Sequence, residues 1–177
     1  MKRTIFVIGG CRSGKSRHAI GLSEKAAAAN RVYVATCEPL DDEMKARVKK
    51  HQSERDHTWK TVEIPVDLAR GIETVSSFAE VILIDCLTLW VTNMLMREME
   101  EREIMNRTDS LLKVVSKLHA PVIFVSNEVG AGIVPDNELA RRFRDMAGFV
   151  NQKIAAAADE VILMVAGIPV HVKPGQG

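Results

Sequence analysis

Short apolar runs rich in β-branched residues alternate along the chain with longer stretches in which apolar residues recur at helical spacing. That alternation predicts an α/β fold with a mostly parallel sheet. Buried strands are expected at Thr4–Ile8, Arg31–Ala35, Val81–Asp85, Val122–Ser126 and Glu160–Val165. These runs are apolar nearly throughout, as strands are when helices cover both faces of a sheet. A shorter extended piece is expected at Thr61–Ile64, and Ile168–Val172, close behind Gly167, is expected to return as an antiparallel edge strand. Helices are expected over Lys15–Ala29, Asp41–His51, Asp67–Val75 and Asn137–Ala158, and over a long span from Leu87 to about Leu118 broken near Asn106–Asp109. With no linker, repeat or low-complexity tract, the chain reads as one domain over residues 1–177.

Composition narrows the classes. Apolar residues make up 46% and charged residues 27% of the 177, which argues against disorder and against membrane spanning. Twenty-four Lys and Arg against 23 Asp and Glu leave a net charge of +1, so no electrostatic footprint for nucleic acid is expected. Cys11, Cys37 and Cys86 lie far apart, without metal-ligand spacing, and read as reduced thiols. The apolar run Ile5–Ile8 is too short for a secretory signal, which needs about 7–15 apolar residues, and no run reaches the roughly 20 of a spanning helix. A cytoplasmic protein is the expectation.

The most specific local pattern is Gly9-Gly10-Cys11-Arg12-Ser13-Gly14-Lys15-Ser16, which fits G-x-x-x-x-G-K-[ST] between an expected strand and an expected helix. Phosphates need backbone N–H groups pointing inward from a tight loop, and the helix N-terminus adds partial positive charge at the same place. Lys15 is expected to reach the β- and γ-phosphates and Ser16 to ligate Mg²⁺. Asp85 ends a buried strand, where open α/β sheets bind ligands. It is a candidate magnesium-side acid, or else a cap for the helix that follows. This much implies a nucleoside triphosphate with magnesium and leaves the reaction open.

Other segments are less decisive. His51 falls on the apolar face of its expected helix with Met44 and Val48, a position that suits a boundary histidine. Spacing makes Trp59 a core residue and leaves Glu63 undecided. The loop Asn127–Pro135 leaves a strand at the phosphate-loop edge and suits either substrate contact or simple connection. Arg141, Arg142 and Arg144 could hold an anion or be only solvated.

Together these segments resemble the bifunctional adenosylcobinamide kinase/adenosylcobinamide-phosphate guanylyltransferase family of cobalamin synthesis. The resemblance is carried by Gly9–His18, Ala35-Thr36, Asp42-Glu43-Met44 through Arg47 to His51 and Arg55, Trp59, Glu63, Asp85–Thr88 and Thr92-Asn93. Asn127–Gly130, Gly132–Pro135, Arg144–Gly148, Val150–Gln152 and Ala156–Val161 continue it, so it runs from about Thr4 to Lys173. It implies a P-loop NTPase with a RecA-like sheet. It further implies phosphorylation of adenosylcobinamide and transfer of GMP from GTP to adenosylcobinamide phosphate through a guanylylated histidine, for which His51 is the matching position. By the same resemblance Gly9 through Ser16, Thr36 with Cys37 and Glu38, Gln52, Ser53, Glu54 and Arg55, Glu63 and Asp85 match nucleotide-contacting positions. GTP and ATP are the implied substrates, Mg²⁺ the implied cofactor, and a homo-oligomer, a trimer among them, the implied assembly.

Overall fold

A computed structural model describes residues 3–38, 42 and 55–175. Seven strands form one sheet: β1 (Thr4–Gly9), β2 (Arg31–Ala35), β3 (Trp59–Glu63), β4 (Val81–Asp85), β5 (Val122–Asn127), β6 (Glu160–Val165) and β7 (Ile168–Lys173). Their order is β3-β2-β4-β5-β1-β6-β7, parallel throughout except for the final antiparallel pair. Among the described residues, five helices flank it: α1 (Lys15–Ala26), α2 (Leu68–Val75), α3 (Leu87–Leu95), α4 (Glu101–Val115) and α5 (Glu138–Ala157). The expected P-loop α/β class, with its antiparallel edge strand, is the observed one.

The central strands are buried on both faces, successive residues pointing to opposite sides. Ile5, Val7, Leu83 and Val125 pack with Ala19 of α1 on one face. Phe6, Ile82, Ile84 and Phe124 pack with α2, α3, α4 and α5 on the other. Each such large side chain contributes about 1.5–3 kcal/mol when fully buried. Burial on both faces explains why these strands read as continuous apolar runs.

Several boundaries shift, most by a single residue and the following by more. α1 ends at Ala26 because Ala27 turns extended and enters the apolar cluster, and the Arg31 Nε–H grips its carbonyl at 2.9 Å. β3 starts at Trp59, two residues early, and stops at Glu63, so Trp59, Thr61 and Glu63 share one face of an edge strand. Trp59 is only half-buried, packing edge-on to Tyr33.

The largest correction concerns the span from Leu87. The break lies between Leu95 and Glu101, where Glu98 adopts a left-handed conformation (φ 56°), and not at Asn106–Asp109. Polar Thr108 does not interrupt α4, because its buried hydroxyl donates to the Ile104 carbonyl at 2.9 Å. The expected helix Asp41–His51 lies outside the described residues apart from Asp42, which is helical. No described helix is long and apolar enough to cross a membrane.

Candidate functional site

The C-terminal ends of the parallel strands carry the polar residues, and β1 leads directly into Gly9–Ser16. Gly9 must lack a side chain: a Cβ there would lie 2.5 Å from the Met164 carbonyl oxygen and 2.9 Å from Ser13 Oγ. Gly14 sits at φ 90°, a left-handed conformation that glycine adopts without steric cost. It also precedes α1 without any side-chain cap, and no acidic residue stands in the first turn. The first helical N–H bond to Gly14 comes from His18 at 3.0 Å. The Lys15, Ser16 and Arg17 amides therefore lie at a helix N-terminus with no intrahelical acceptor, the arrangement that binds phosphate.

Lys15 is buried, and its Nζ donates to the Gly10 carbonyl at 2.6 Å, with Ser13 Oγ at 3.5 Å. Burial lowers its pKa, opposed by attraction to the nearby Asp85 carboxylate. Ser13 is buried, Ser16 half-buried, and Gly10, Cys11 and Arg12 are exposed. The far side of the loop is clasped by the β6–β7 turn, where the Gly167 N–H donates to the Ser13 carbonyl at 3.0 Å. That support could be read from the sequence only as the Gly167 turn, with nothing to place it against the phosphate loop.

Asp85 stands two strands from β1, with β5 between them: Gly9 pairs in register with Asn127, and Asp85 with Val125. The N-cap of α3 is Cys86, and no side chain caps that helix, which removes the capping explanation of Asp85. The carboxylate instead accepts a 3.1 Å hydrogen bond from the Tyr33 hydroxyl, and no other described residue donates to it. Burial pushes the Tyr33 phenol well above its usual range, so it stays a donor. Burial also pushes the neighbouring Cys86 thiol up to about 11, leaving it protonated and inert near neutrality.

The ends of β2 and β3 are organised by side chains. Thr36 Oγ1 donates to the Cys86 carbonyl at 2.7 Å and accepts from the Cys86 N–H at 2.8 Å. The Asn93 side chain of α3 donates to the Thr36 carbonyl at 2.7 Å and to the Pro65 carbonyl at 2.9 Å. Glu38 is held bidentately by Arg97, at 2.7 and 2.9 Å, which lowers its pKa. Cys37 is half-buried beside them. Arg55 stacks 3.8 Å over the Tyr33 ring and donates to Thr61 Oγ1 at 3.1 Å, while its buried Nε and Nη1 have no hydrogen-bond partner among the described residues. Glu63 is exposed at the end of β3. His51, Gln52, Ser53 and Glu54 lie outside the described residues.

Thus the phosphate loop, Lys15, Ser16 and Asp85 share one stretch of the edge, and Thr36, Glu38, Arg55 and Glu63 the adjoining one. Tyr33 escaped sequence reasoning, although strand alternation puts it on the same face as Ala35, in register with Asp85. Two of the three α5 arginines are engaged locally. Arg144 donates to the Gly130 carbonyl at 2.8 Å, and Arg141 donates to the carbonyls of Pro135 and Asp136 at 3.2 and 2.6 Å. They tie down the 128–136 loop, which Glu128 also folds back on itself by accepting from the Ala131 N–H.

A family model described as cobinamide kinase / cobinamide phosphate guanyltransferase matches residues 5–172. The bifunctional adenosylcobalamin biosynthesis protein CobU of Escherichia coli is 43% identical, covering 96% of this chain and 99% of that protein. CobP of Pseudomonas aeruginosa, with the same description, is 39% identical over 95% and 96% of the two chains. Among solved structures, a KaiC-like protein of Pyrococcus horikoshii superposes with TM-score 0.55 at 19% identity, covering 91% of this chain and 70% of that one. The flagellar accessory protein FlaH of Methanocaldococcus jannaschii gives 0.53 at 15%, covering 98% and 79%. At those identities the two structures speak to the fold alone.

Proposed function

Since the chain belongs to the cobinamide kinase / cobinamide phosphate guanyltransferase family, we propose that one nucleotide site on this sheet edge performs both of that family's reactions through the residues named above. The observation that carries the proposal is the uncapped N-terminus of α1 with buried Lys15 on one side and the Asp85 carboxylate nearby. The Lys15, Ser16 and Arg17 amides hold the triphosphate, and Lys15 swings from the Gly10 carbonyl onto it. Ser16 Oγ and Asp85, whose carboxylate accepts from Tyr33 alone among the described residues, fit a magnesium ion that would neutralise phosphate charge.

In the kinase step, the side-arm hydroxyl of adenosylcobinamide attacks the γ-phosphorus of ATP or GTP. It loses its proton as the nucleoside diphosphate leaves. The amides and Lys15 stabilise the charge that spreads over the transferring oxygens. In the transferase step, the neutral imidazole of His51 attacks the α-phosphorus of GTP and pyrophosphate departs. The phosphate of adenosylcobinamide phosphate then takes the GMP, giving adenosyl-GDP-cobinamide and freeing the histidine. Splitting one displacement into two suits a nucleophile that is uncharged near neutrality. Glu63 suits guanine, whose N1–H and N2–H₂ edge gives two donors to one carboxylate, and Arg55 donates to Thr61, two residues before it on β3.

The test is labelling with GTP radioactive at the α-phosphorus, without corrinoid, in wild type and His51→Ala. The expected result is acid-labile, alkali-stable label on wild type and none on the variant. A properly folded, GTP-binding wild type that takes no label would remove the covalent step and leave the kinase alone.

A further inference from the structure

Asp85 ends β4 half-buried, and the sheet decides which way it faces. Leu83, two residues earlier on β4, packs in the same apolar cluster as Ala19 of α1, and strand alternation turns Asp85 to that same face. The first turn of α1 carries Lys15 and Ser16. Tyr33 comes to this face from the neighbouring strand, where it pairs in register with Leu83 while Ala35 pairs with Asp85. Its hydroxyl reaches diagonally across to donate to Oδ2 of Asp85 at 3.1 Å. Among the described residues nothing donates to Oδ1.

The donor is itself held in place. Tyr33 is 8% exposed, the Arg55 guanidinium lies 3.8 Å over its ring, and Trp59 meets it edge-on with ring centroids 6.4 Å apart. Arg55 is in turn tied to Thr61, the residue of β3 that pairs with Tyr33. Two side chains thus clamp a phenol whose hydroxyl bonds, among the described residues, to one carboxylate oxygen. Phenylalanine would fill the same space as well, so the hydroxyl calls for a reason of its own.

We infer that Tyr33 is the positioning residue for Asp85: its hydroxyl holds Oδ2 and so leaves Oδ1 free and oriented as a ligand for the cation that accompanies the triphosphate. This rests on the magnesium site proposed above. Magnesium demands near-ideal octahedral geometry with oxygens at about 2.0–2.1 Å, so a carboxylate that swings about its terminal torsion is a poorer ligand than one already oriented. A hydrogen bond on the second oxygen sets that orientation before the cation arrives. Loss of such an outer contact typically weakens metal affinity about 10–100-fold. Tyr33 acts through Asp85 and needs no contact with the nucleotide.

The experiment compares wild type, Tyr33→Phe and Asp85→Asn. Binding of a fluorescent GTP analogue with a methylene bridge between its α- and β-phosphorus, which can give up no GMP, is titrated at rising Mg²⁺ and again in EDTA. Phenylalanine keeps the ring that Arg55 and Trp59 clamp, so the change removes the hydrogen bond alone. The expected result for Tyr33→Phe is a Mg²⁺ midpoint raised about tenfold or more, with affinity in EDTA at the wild-type level. An unchanged midpoint overturns the inference. So does an equal loss of affinity with and without Mg²⁺, the mark of a merely structural tyrosine. Asp85→Asn is expected to lose the response to Mg²⁺. If it keeps the wild-type response, or if wild type shows none, the magnesium reading of Asp85 fails and the inference falls with it.

Discussion

The two halves of the functional edge are built by different means. At β1 the backbone does the work: two glycines, an uncapped helix start and the Gly167 N–H shape the phosphate loop. At β2 and β3 the backbone ends are shaped by side chains from elsewhere, with Asn93 reaching the Thr36 and Pro65 carbonyls, Arg97 holding Glu38, and Tyr33 stacked beneath Arg55. Phosphate is the same in every nucleotide, so a fixed backbone cradle suits it. A base and a reacting group differ between nucleotides and steps, and a side-chain frame can be tuned for them one contact at a time.

The largest break in this comparison should come from Gly9→Ala. Its Cβ meets the Met164 carbonyl oxygen, a backbone atom that cannot swing away, so denaturant unfolding should show a loss of about 3 kcal/mol, with weakened binding of every nucleotide. Asn93→Ala acts on the other half. It leaves the Thr36 carbonyl, in a buried position, without that donor, and should cost about 2 kcal/mol. Its sharper signature is a loss of guanine-over-adenine preference greater than the loss of triphosphate affinity; an equal loss of both would show that the two halves are not separable. The smallest effect concerns His18 on α1. Burial, with His171 and Lys25 adding repulsion and Glu160 opposing, lowers its pKa. The unfolded chain then binds this proton more readily, so stability falls as pH drops through the ordinary histidine value of about 6.5 and levels off below the folded pKa. In His18→Gln, thermal denaturation between pH 8 and 5 should show a shallower decline, and an identical slope would mean that other groups carry it.

The same contrast governs what the sequence disclosed. The phosphate loop is contiguous, and its residue types state their geometry, so its position, strand and helix could all be read. Asp85 could be placed at a strand end, but that it does not cap α3 emerged only from the structure, where Cys86 takes the N-cap position. The Asn93–Thr36 bond spans 57 residues and the Tyr33–Asp85 bond 52, and no local pattern announces either. The misplaced break in the long helical span has a related cause. Thr108 looks like an interruption until its hydroxyl is seen bonded within its own helix, and the left-handed Glu98 carries no glycine to announce it. The arginines of α5 suggested an anion site, whereas Arg141 and Arg144 spend hydrogen bonds on the loop before them.

The clasp between Gly167 and the Ser13 carbonyl joins segments about 150 residues apart in the chain. β1 itself lies between β5 and β6, so its two neighbours are made more than a hundred residues after it. During synthesis the phosphate loop therefore waits, unsupported, while the rest of the sheet is translated. A nucleotide in the cell cannot act as an early template for this chain. It can reward folding only after the β6–β7 hairpin has closed behind the loop.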